Sequence, residues 1–435
     1  AAYRCGECMD EYRDALSLKL LRARLQAERA DGEDLSFTLD TLGCELQVQG
    51  KFNEAEPLFR EALEMDRQTF GNRHENTLAC INNLGALLHE QGKHDEAEPL
   101  LREALVVRRA TLGDRHRETL ASINNLGTLL QNKGDLAAAE PLLREALEAH
   151  RETLGDRHPD TLNSINNLGM LLDDKGDRAA AELLYREALK MQRATLGNRH
   201  PGTLNSIGNL GQLLEGKGDL AAAELLQREA MEAWRETLGN RHPNTLASVG
   251  NLGLLLRAKG DIAAAESLLR EALEGQRETL GDRHPDTLGS INNLGLLLYY
   301  TDDLAAAEPL LHEALDVSRE TLGNRHPDTL GSINNLGLLL KAKGNFAAAE
   351  PLSREALEGL RETLGDRHPS TLTSIGSLGL VLKAKGDLAA AEPLLREALE
   401  GMRETLGDRH PDTLTAITNL GALGGKGRPR RRCRD

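Results

Sequence analysis

A variant of the string Leu-Gly-[Asp/Asn]-Arg-His-Pro recurs nine times in this chain, with its glycine at Gly71, Gly113, Gly155, Gly197, Gly239, Gly281, Gly323, Gly365 and Gly407, always 42 residues apart. Self-similarity at a fixed period of roughly 20 to 50 residues marks a stack of supersecondary units. Each unit is too small to bury its own apolar face and must lean on its neighbours. The 435 residues therefore count repeats and not globular domains. One elongated array with a continuous core is expected, and any function must sit on its surface.

Aromatic residues make up only 3% of the chain, so that core must be built from Leu, Ala and Ile. Such a composition suits closely packed helices, and almost no strand is expected. A formal charge of -15 argues against a nucleic-acid partner, which would need an excess of Lys and Arg along one face. No run of about 18 apolar residues occurs and nothing at the start resembles a signal peptide, so no membrane partner is expected. The five cysteines, Cys5, Cys8, Cys44, Cys80 and Cys433, follow no repeat phase. That is ordinary for a reduced cytoplasmic protein, the expected location. Cys5-x-x-Cys8 has no second pair to complete a zinc site and reads as incidental.

Residues 162–203 serve as the type unit. Ile165, Leu168, Gly169 and Leu172 follow the i, i+3, i+4, i+7 spacing of one helical stripe, here helix A. Gly176 suits the left-handed residue after a helix end, and Asp177 suits the cap of the next helix. A second stripe through Ala181, Leu184, Tyr185, Ala188, Leu189 and Gln192 defines a longer helix B that ends at Gly197. The connection Asn198-Arg199-His200-Pro201 places a proline at the first position of the next helix A. Pro57, Pro99, Pro141, Pro309, Pro351 and Pro393 fall inside helix B, which is expected to start late or bend at those units.

The pair carrying Leu168-Gly169, Leu172, Gly176, Ala181, Tyr185 and Ala188 resembles the tetratricopeptide repeat signature. Ile-Asn-Asn-Leu-Gly in helix A, Ala-Glu-Pro-Leu-x-Arg-Glu-Ala-Leu in helix B and the Leu-Gly-x-x-His-Pro-x-Thr connection are similar to the 42-residue repeats of kinesin light chains and nephrocystin-3. The repeat arrays appended to some signalling NTPases are similar too. The resemblance implies an all-α fold, a right-handed superhelical solenoid of antiparallel helix pairs, over about residues 36–423. Two departures stand out. Residues 1–35 are too short for the heptads through which kinesin light chains hold their motor. The aromatic seen at Tyr185 is Leu at Leu143 and Leu395. Residues 323–364 and 365–406 agree at 32 of 42 positions, which suggests recent tandem duplication.

Tyr12-Arg13-Asp14-Ala15-Leu16 echoes Tyr185-Arg186-Glu187-Ala188-Leu189, so residues 1–35 are read as a degenerate capping helix. Nine units over residues 36–413 and a partial tenth over 414–423 follow. The last residues, 424–435, contain Arg428, Arg430, Arg431, Arg432 and Arg434 and read as a disordered, solvated tail. A nuclear-import or anionic-surface signal is the competing reading of that cluster.

In the resembled fold helix A lines the concave groove, so the residues off its apolar stripe are the candidates for binding. One helix A position carries Asn82, Asn124, Asn166, Asn292 and Asn334. An amide both donates and accepts, so this row is expected to pair with the main chain of an extended peptide, with bonding between repeats as the competing use. The adjacent row, which includes Asn83, Asn167 and Asn335, reads as a ladder between repeats. Further along helix A, Asp173, Asp174 and Glu215 give way to Arg257, Lys341 and Lys383, with Tyr299 and Tyr300 between. Beside Leu254, Leu296 and Leu338, these point to an acidic peptide with an apolar anchor as the ligand, with solvated charges as the competing reading.

The connection histidines, His74 through His410, come one to a unit. Neighbouring units lie roughly 10 Å apart, too far for metal ligands to converge, so loop-bracing hydrogen bonds are expected and no metal or cofactor. No nucleophile with a base, and no phosphate-cradling loop, breaks the repeat symmetry, so no enzyme is expected. The two function classes left are a kinesin-light-chain-like adaptor for a protein or peptide, in a motor or signalling complex, and a structural or regulatory array from a larger signalling NTPase-type protein.

Overall fold

The 42-residue period resolves into alternating helices of 16 to 19 residues in nearly every unit. A computed structural model describes residues 14–31, 35–408 and 411–422, and these contain twenty α-helices and no strand. They are α1 (Asp14–Asp31), α2 (Ser36–Val48), α3 (Phe52–Phe70), α4 (Glu75–Glu90), α5 (His94–Leu112), α6 (Arg117–Asn132), α7 (Leu136–Leu154), α8 (Pro159–Asp174), α9 (Arg178–Thr195) and α10 (Pro201–Gly216). The array continues with α11 (Leu220–Leu238), α12 (Pro243–Lys259), α13 (Ile262–Thr279), α14 (Pro285–Tyr300), α15 (Leu304–Thr321), α16 (Pro327–Ala342), α17 (Phe346–Leu364), α18 (Pro369–Lys385), α19 (Leu388–Leu406) and α20 (Pro411–Gly421). Even-numbered helices are the A helices and odd-numbered ones the B helices. Cys5, Cys8, His410 and the basic tail lie outside the described residues.

Local chemistry sets each boundary. His158 Nδ1 accepts from the amide of Asp160 at 3.1 Å and so caps helix α8, with Pro159 at its first position. The same bond recurs at His74, His116, His200, His242, His284, His326 and His368. An imidazole can accept there only when neutral, with its proton on Nε2. At the other end of α8 the amide of Asp177 bonds Leu172 O at 2.8 Å and that of Gly176 bonds Asp173 O at 2.8 Å. Gly176 has φ +79 as this closure requires, and Asp177 then accepts from Ala180 N to start α9. Helix B ends differently. Gly155 has φ 83 and ψ 165, a region open only to glycine, and its carbonyl is held by Thr161 Oγ1 at 2.8 Å. The Gly, His and Thr of the repeated string are thus one turn and one cap.

Helix B does not start late where it contains proline. α7 with Pro141 and α9 with Leu183 begin at the same repeat position, Leu136 and Arg178. Leu183 and Leu225, which occupy the proline position in two units, are 71% and 74% exposed. The proline position therefore faces solvent, where the ring meets no neighbouring helix.

Ala181 and Ala188 are fully buried, and a Cβ on Gly169 would stand 2.7 Å from Tyr185 Cε1, so small residues let α8 and α9 approach. Leu, Ile and Ala from successive units merge into an apolar core that runs along most of the array. Arg67–Glu103, Arg109–Glu145, Arg151–Glu187, Arg193–Glu229, Arg235–Glu271, Arg277–Glu313, Arg319–Glu355 and Arg361–Glu397 tie each helix B to the next. Partly exposed pairs of this kind are individually weak, about 0 to 1 kcal/mol each.

The array also touches itself. Asn53 Nδ2 donates to Thr321 O at 2.8 Å across 268 residues. A Cβ on Gly50 would stand 2.6 Å from Pro285 Cδ, one on Gly92 2.4 Å from Pro327 Cδ, and one on Gly134 2.9 Å from His368 Cδ2. Each of the three glycine contacts joins the A–B turn of one unit to the His-Pro loop about 235 residues later, between five and six repeats on. Two superhelical turns therefore lie against each other along a regular seam. The same loop residue reports it: the His284 and His326 side chains are 11% and 7% exposed, whereas His158, beyond the seam, is 38% exposed.

Candidate peptide-binding groove

Consecutive A helices contact one another, which makes them the inner layer of the superhelix with the B helices outside. Leu254, Leu296 and Leu338 are half-buried on α12, α14 and α16. Leu380 on α18 continues the row, and its place at the same repeat position was the signal that sequence reading passed over.

One turn further along lie the residues of changing charge. The Arg257 guanidinium sits 5.6 Å from the centre of the Tyr300 ring, and Tyr300 meets Tyr299 edge-on at 5.1 Å. Lys341 and Lys383 are half-buried, and among the described residues neither has an ion-pair partner. Lys343 and Lys385, two residues on, pair with Glu308 and Glu350 at 2.6 and 2.7 Å. Burial holds the Lys341 ammonium below the usual lysine range, and the Lys383 charge pushes it the same way. In the N-terminal half the corresponding surface is acidic and already satisfied: Asp174 accepts from Gln131 Nε2 at 2.5 Å, and Asp173 pairs with Arg178 at 3.2 Å.

The asparagine row is occupied differently from the first expectation. Asn124, Asn166 and Asn292 donate to Ser164, Ser206 and Ser332 Oγ of the next unit at 3.2, 3.1 and 2.8 Å. Asn82 faces Ser122 at 3.5 Å, and Asn334 Oδ1 accepts from Ser374 at 3.2 Å. The competing use, a ladder between repeats, accounts for these bonds. The second row behaves alike where Asn335 donates to Asn292 Oδ1 at 3.3 Å and Asn83 to the Asp40 carboxylate at 2.9 Å. Between α12, α14 and α16 the inner face opens into a recess of about 470 Å³ lined by Gly250, Gly289, Gly331, Asn251, Asn292 and Asn335. Three missing side chains make that recess.

Sequence reading placed Gln192 on the helix B stripe but missed the rest of its row: Asp66, Arg108, His150, Gln192, Trp234, Gln276, Ser318, Leu360 and Met402 share one repeat position and are all buried. Arg108 donates to Ser122 Oγ at 2.8 Å, and His150 Nδ1 lies 2.8 Å from Ser164 Oγ. Its irregularity at an otherwise periodic site was the available signal. Among the described residues no three His, Cys, Asp or Glu side chains converge to hold a metal ion, and no helix is long and apolar enough to cross a membrane.

The tetratricopeptide repeat model matches in nine overlapping segments, from residues 43–110 to residues 370–430. The chain belongs to the tetratricopeptide repeat family. No curated protein matches it. Among solved structures, the nearly identical TPR-like repeats of a candidate kinesin light chain from Podosopora anserina are 27% identical over 47% of this chain and 98% of that one, with a TM-score of 0.41. BtubC (BKLC) from P. vanneervenii is 22% identical over 60% and 94%, with a TM-score of 0.42. A Rap protein complexed with Competence and Sporulation Factor is 14% identical over 80% and 97%, with a TM-score of 0.50, a likeness of fold alone. With 276 matching solved chains, the tetratricopeptide repeat architecture is too widely shared to name a ligand.

Proposed function

We propose that this chain is a non-catalytic scaffold whose C-terminal groove holds an extended acidic segment of a partner protein, with one apolar side chain as anchor. The observation that carries this reading is the pair Lys341 and Lys383, half-buried side by side without a carboxylate in an array whose other cations are largely paired. An acidic ligand relieves their repulsion, while Leu254, Leu296, Leu338 and Leu380 offer an apolar floor and Tyr299 and Tyr300 an aromatic wall. Asn334 accepts through Oδ1 and keeps its amide hydrogens for a ligand carbonyl. Arg257 supplies a third positive charge. We place this binding in the cytoplasm, where thiols outside disulfides, such as Cys44 and Cys80, persist, and assign the partner to a motor or signalling complex.

The test is fluorescence anisotropy with labelled peptides that combine several Asp or Glu with a single Leu or Trp. Lys341→Glu with Lys383→Glu should weaken binding at least tenfold, and added salt should weaken the parent protein's binding. Equal affinity for acidic and neutral peptides, or an unchanged affinity in the double variant, rejects the reading.

A further inference from the structure

The seam between superhelical turns is made of repeat elements, and the same elements stand free on both outer edges of the array. On the covered side of the seam lie the A–B turns at Gly50, Gly92, Gly134 and Gly176, followed by Phe52, His94, Leu136 and Arg178 at the start of helix B. Opposite them lie the ends of later B helices, where Leu322, Leu364 and Leu406 pack on the core and Leu136, Leu364 and Leu406 line one shared cavity of about 590 Å³.

Beyond the seam both partners recur without each other. On one edge the A–B turns at Gly218, Gly260, Gly344 and Gly386 meet nothing within 4 Å of a built Cβ. The helix B residues that follow are Leu220, Ile262, Leu304, Phe346 and Leu388, a row more apolar than the one already covered, the first four half-buried and Leu388 51% exposed. On the other edge Phe70, Leu112, Leu154 and Leu238 close their B helices at 39 to 42% exposure, with Leu196 among them half-buried, and their counterparts Leu322, Leu364 and Leu406 are half-buried against the core.

We infer that a second copy of this chain docks end to end on the first, its Phe70–Leu238 edge seating on the Leu220–Leu388 edge as the two superhelical turns already do within one chain. The occupant follows from continuity: each free edge carries the repeat elements through which the chain packs on itself, with Pro159, Pro201 and Pro243 in the loops of one edge, and Glu75 and Arg117 where the seam has Pro285 and Pro327. Such a head-to-tail contact uses two different surfaces and leaves one of each open, so it propagates along the superhelix axis instead of closing as a symmetric dimer.

Sedimentation velocity and small-angle scattering over rising protein concentration test it on the full chain. The expected result is a mass that climbs from 47.4 kDa through its multiples, with a growing longest dimension and a constant cross-section. Two edge variants isolate the contact, and both change exposed side chains. Leu154→Glu with Leu238→Glu spoils one edge, and Ala347→Arg with Leu388→Glu spoils the other. Each alone should raise the association constant's midpoint concentration at least tenfold, while an equimolar mixture of the two should form a one-to-one dimer through the surviving edges. Circular dichroism checks that both variants remain folded. A monomer at every concentration, association with a widening cross-section, or variants whose mixture behaves as the sum of its parts overturns the inference.

Discussion

His326 Nε2 lies 2.8 Å from the main-chain oxygen of Glu90, 236 residues earlier, while its Nδ1 accepts from the amide of Asp328 at 3.1 Å. The second bond fixes the neutral tautomer that carries a proton on Nε2, and that proton is what the first bond donates. One ring therefore caps the N-terminus of α16 and a C-terminal carbonyl of α4 in the neighbouring superhelical turn. His158 has the same cap and no partner across the seam. His326→Ala should cost about 1 kcal/mol more than His158→Ala, the typical worth of one neutral hydrogen bond, on top of a shared cap loss of about 1 kcal/mol. Denaturant midpoints of the two variants check it, and equal losses would show that the Glu90 contact contributes nothing.

Acid should loosen the same region. His94, at the start of α5, is buried, and its ring is pushed down to about 4, first by burial and then by the charges of His89, Lys133 and His326, with Asp95 opposing. Burial lowers His89, His150 and His368 as well. A histidine whose folded value lies below its unfolded one gives full stability above about pH 6.5 and loses it as pH falls toward the folded value, because the unfolded chain binds the proton first. Asp40, Asp174, Glu90 and Glu215, raised mainly by burial, act in the opposite sense on protonation and offset part of the loss. Between pH 7.5 and 5.5 His94 alone should remove about 1 kcal/mol. His94→Leu, which restores the residue found at Leu136, should show a smaller drop in denaturant midpoint over that interval.

Most of the architecture was legible because it is local. Gly176, Asp177 and Gly155 do in the structure what their turn chemistry requires, and the spacing of Ala181, Tyr185 and Ala188 marks the buried stripe. The late start expected at proline is absent, and periodicity does not encode the reason: Pro141 lies on the exposed face of α7. The charge reversal and the leucine row were legible as repeat positions on helix A, and their use in binding is our proposal. The seam was not. Its offset is no multiple of 42, and it joins a turn to a loop that capping alone already explains, so Gly92 and Pro327 give no sign of meeting. The Asn166–Ser206 bond was equally hidden, since asparagine suits both a ligand and a neighbouring repeat.

Helix glycines divide by what faces them. A Cβ on Gly169 would meet the Tyr185 ring at 2.7 Å, whereas nothing lies within 4 Å of Gly331 in α16. Gly169→Ala should therefore destabilise by about 1 to 3 kcal/mol through overpacking. Gly331→Ala should stabilise by about 0.5 to 1 kcal/mol through lower unfolded-state entropy and better helix propensity. Thermal unfolding of the two single variants should shift in opposite directions.

The A–B turn at Asp302 breaks the repeat. Among the described residues it is the non-glycine residue with positive φ, at +66, in the place held by Gly176, Gly218, Gly260, Gly344 and Gly386. Thr301 replaces the lysine that pairs with the preceding unit elsewhere, as Lys259 does with Glu224, so Glu266 keeps only its contact with Arg270 in place of two cations. Asp is tolerated in the left-handed region at a cost of order 1 kcal/mol, which glycine avoids. Asp302→Gly should raise stability by about 0.5 to 1 kcal/mol, and Thr301→Lys should add a few tenths more by restoring the ion pair to Glu266. Hydrogen exchange at the end of α14 and the start of α15 locates the gain. Slower exchange confined to those amides is expected in Asp302→Gly, and exchange unchanged there, with the melting temperature also unmoved, would mean that the aspartate sits in this turn without strain.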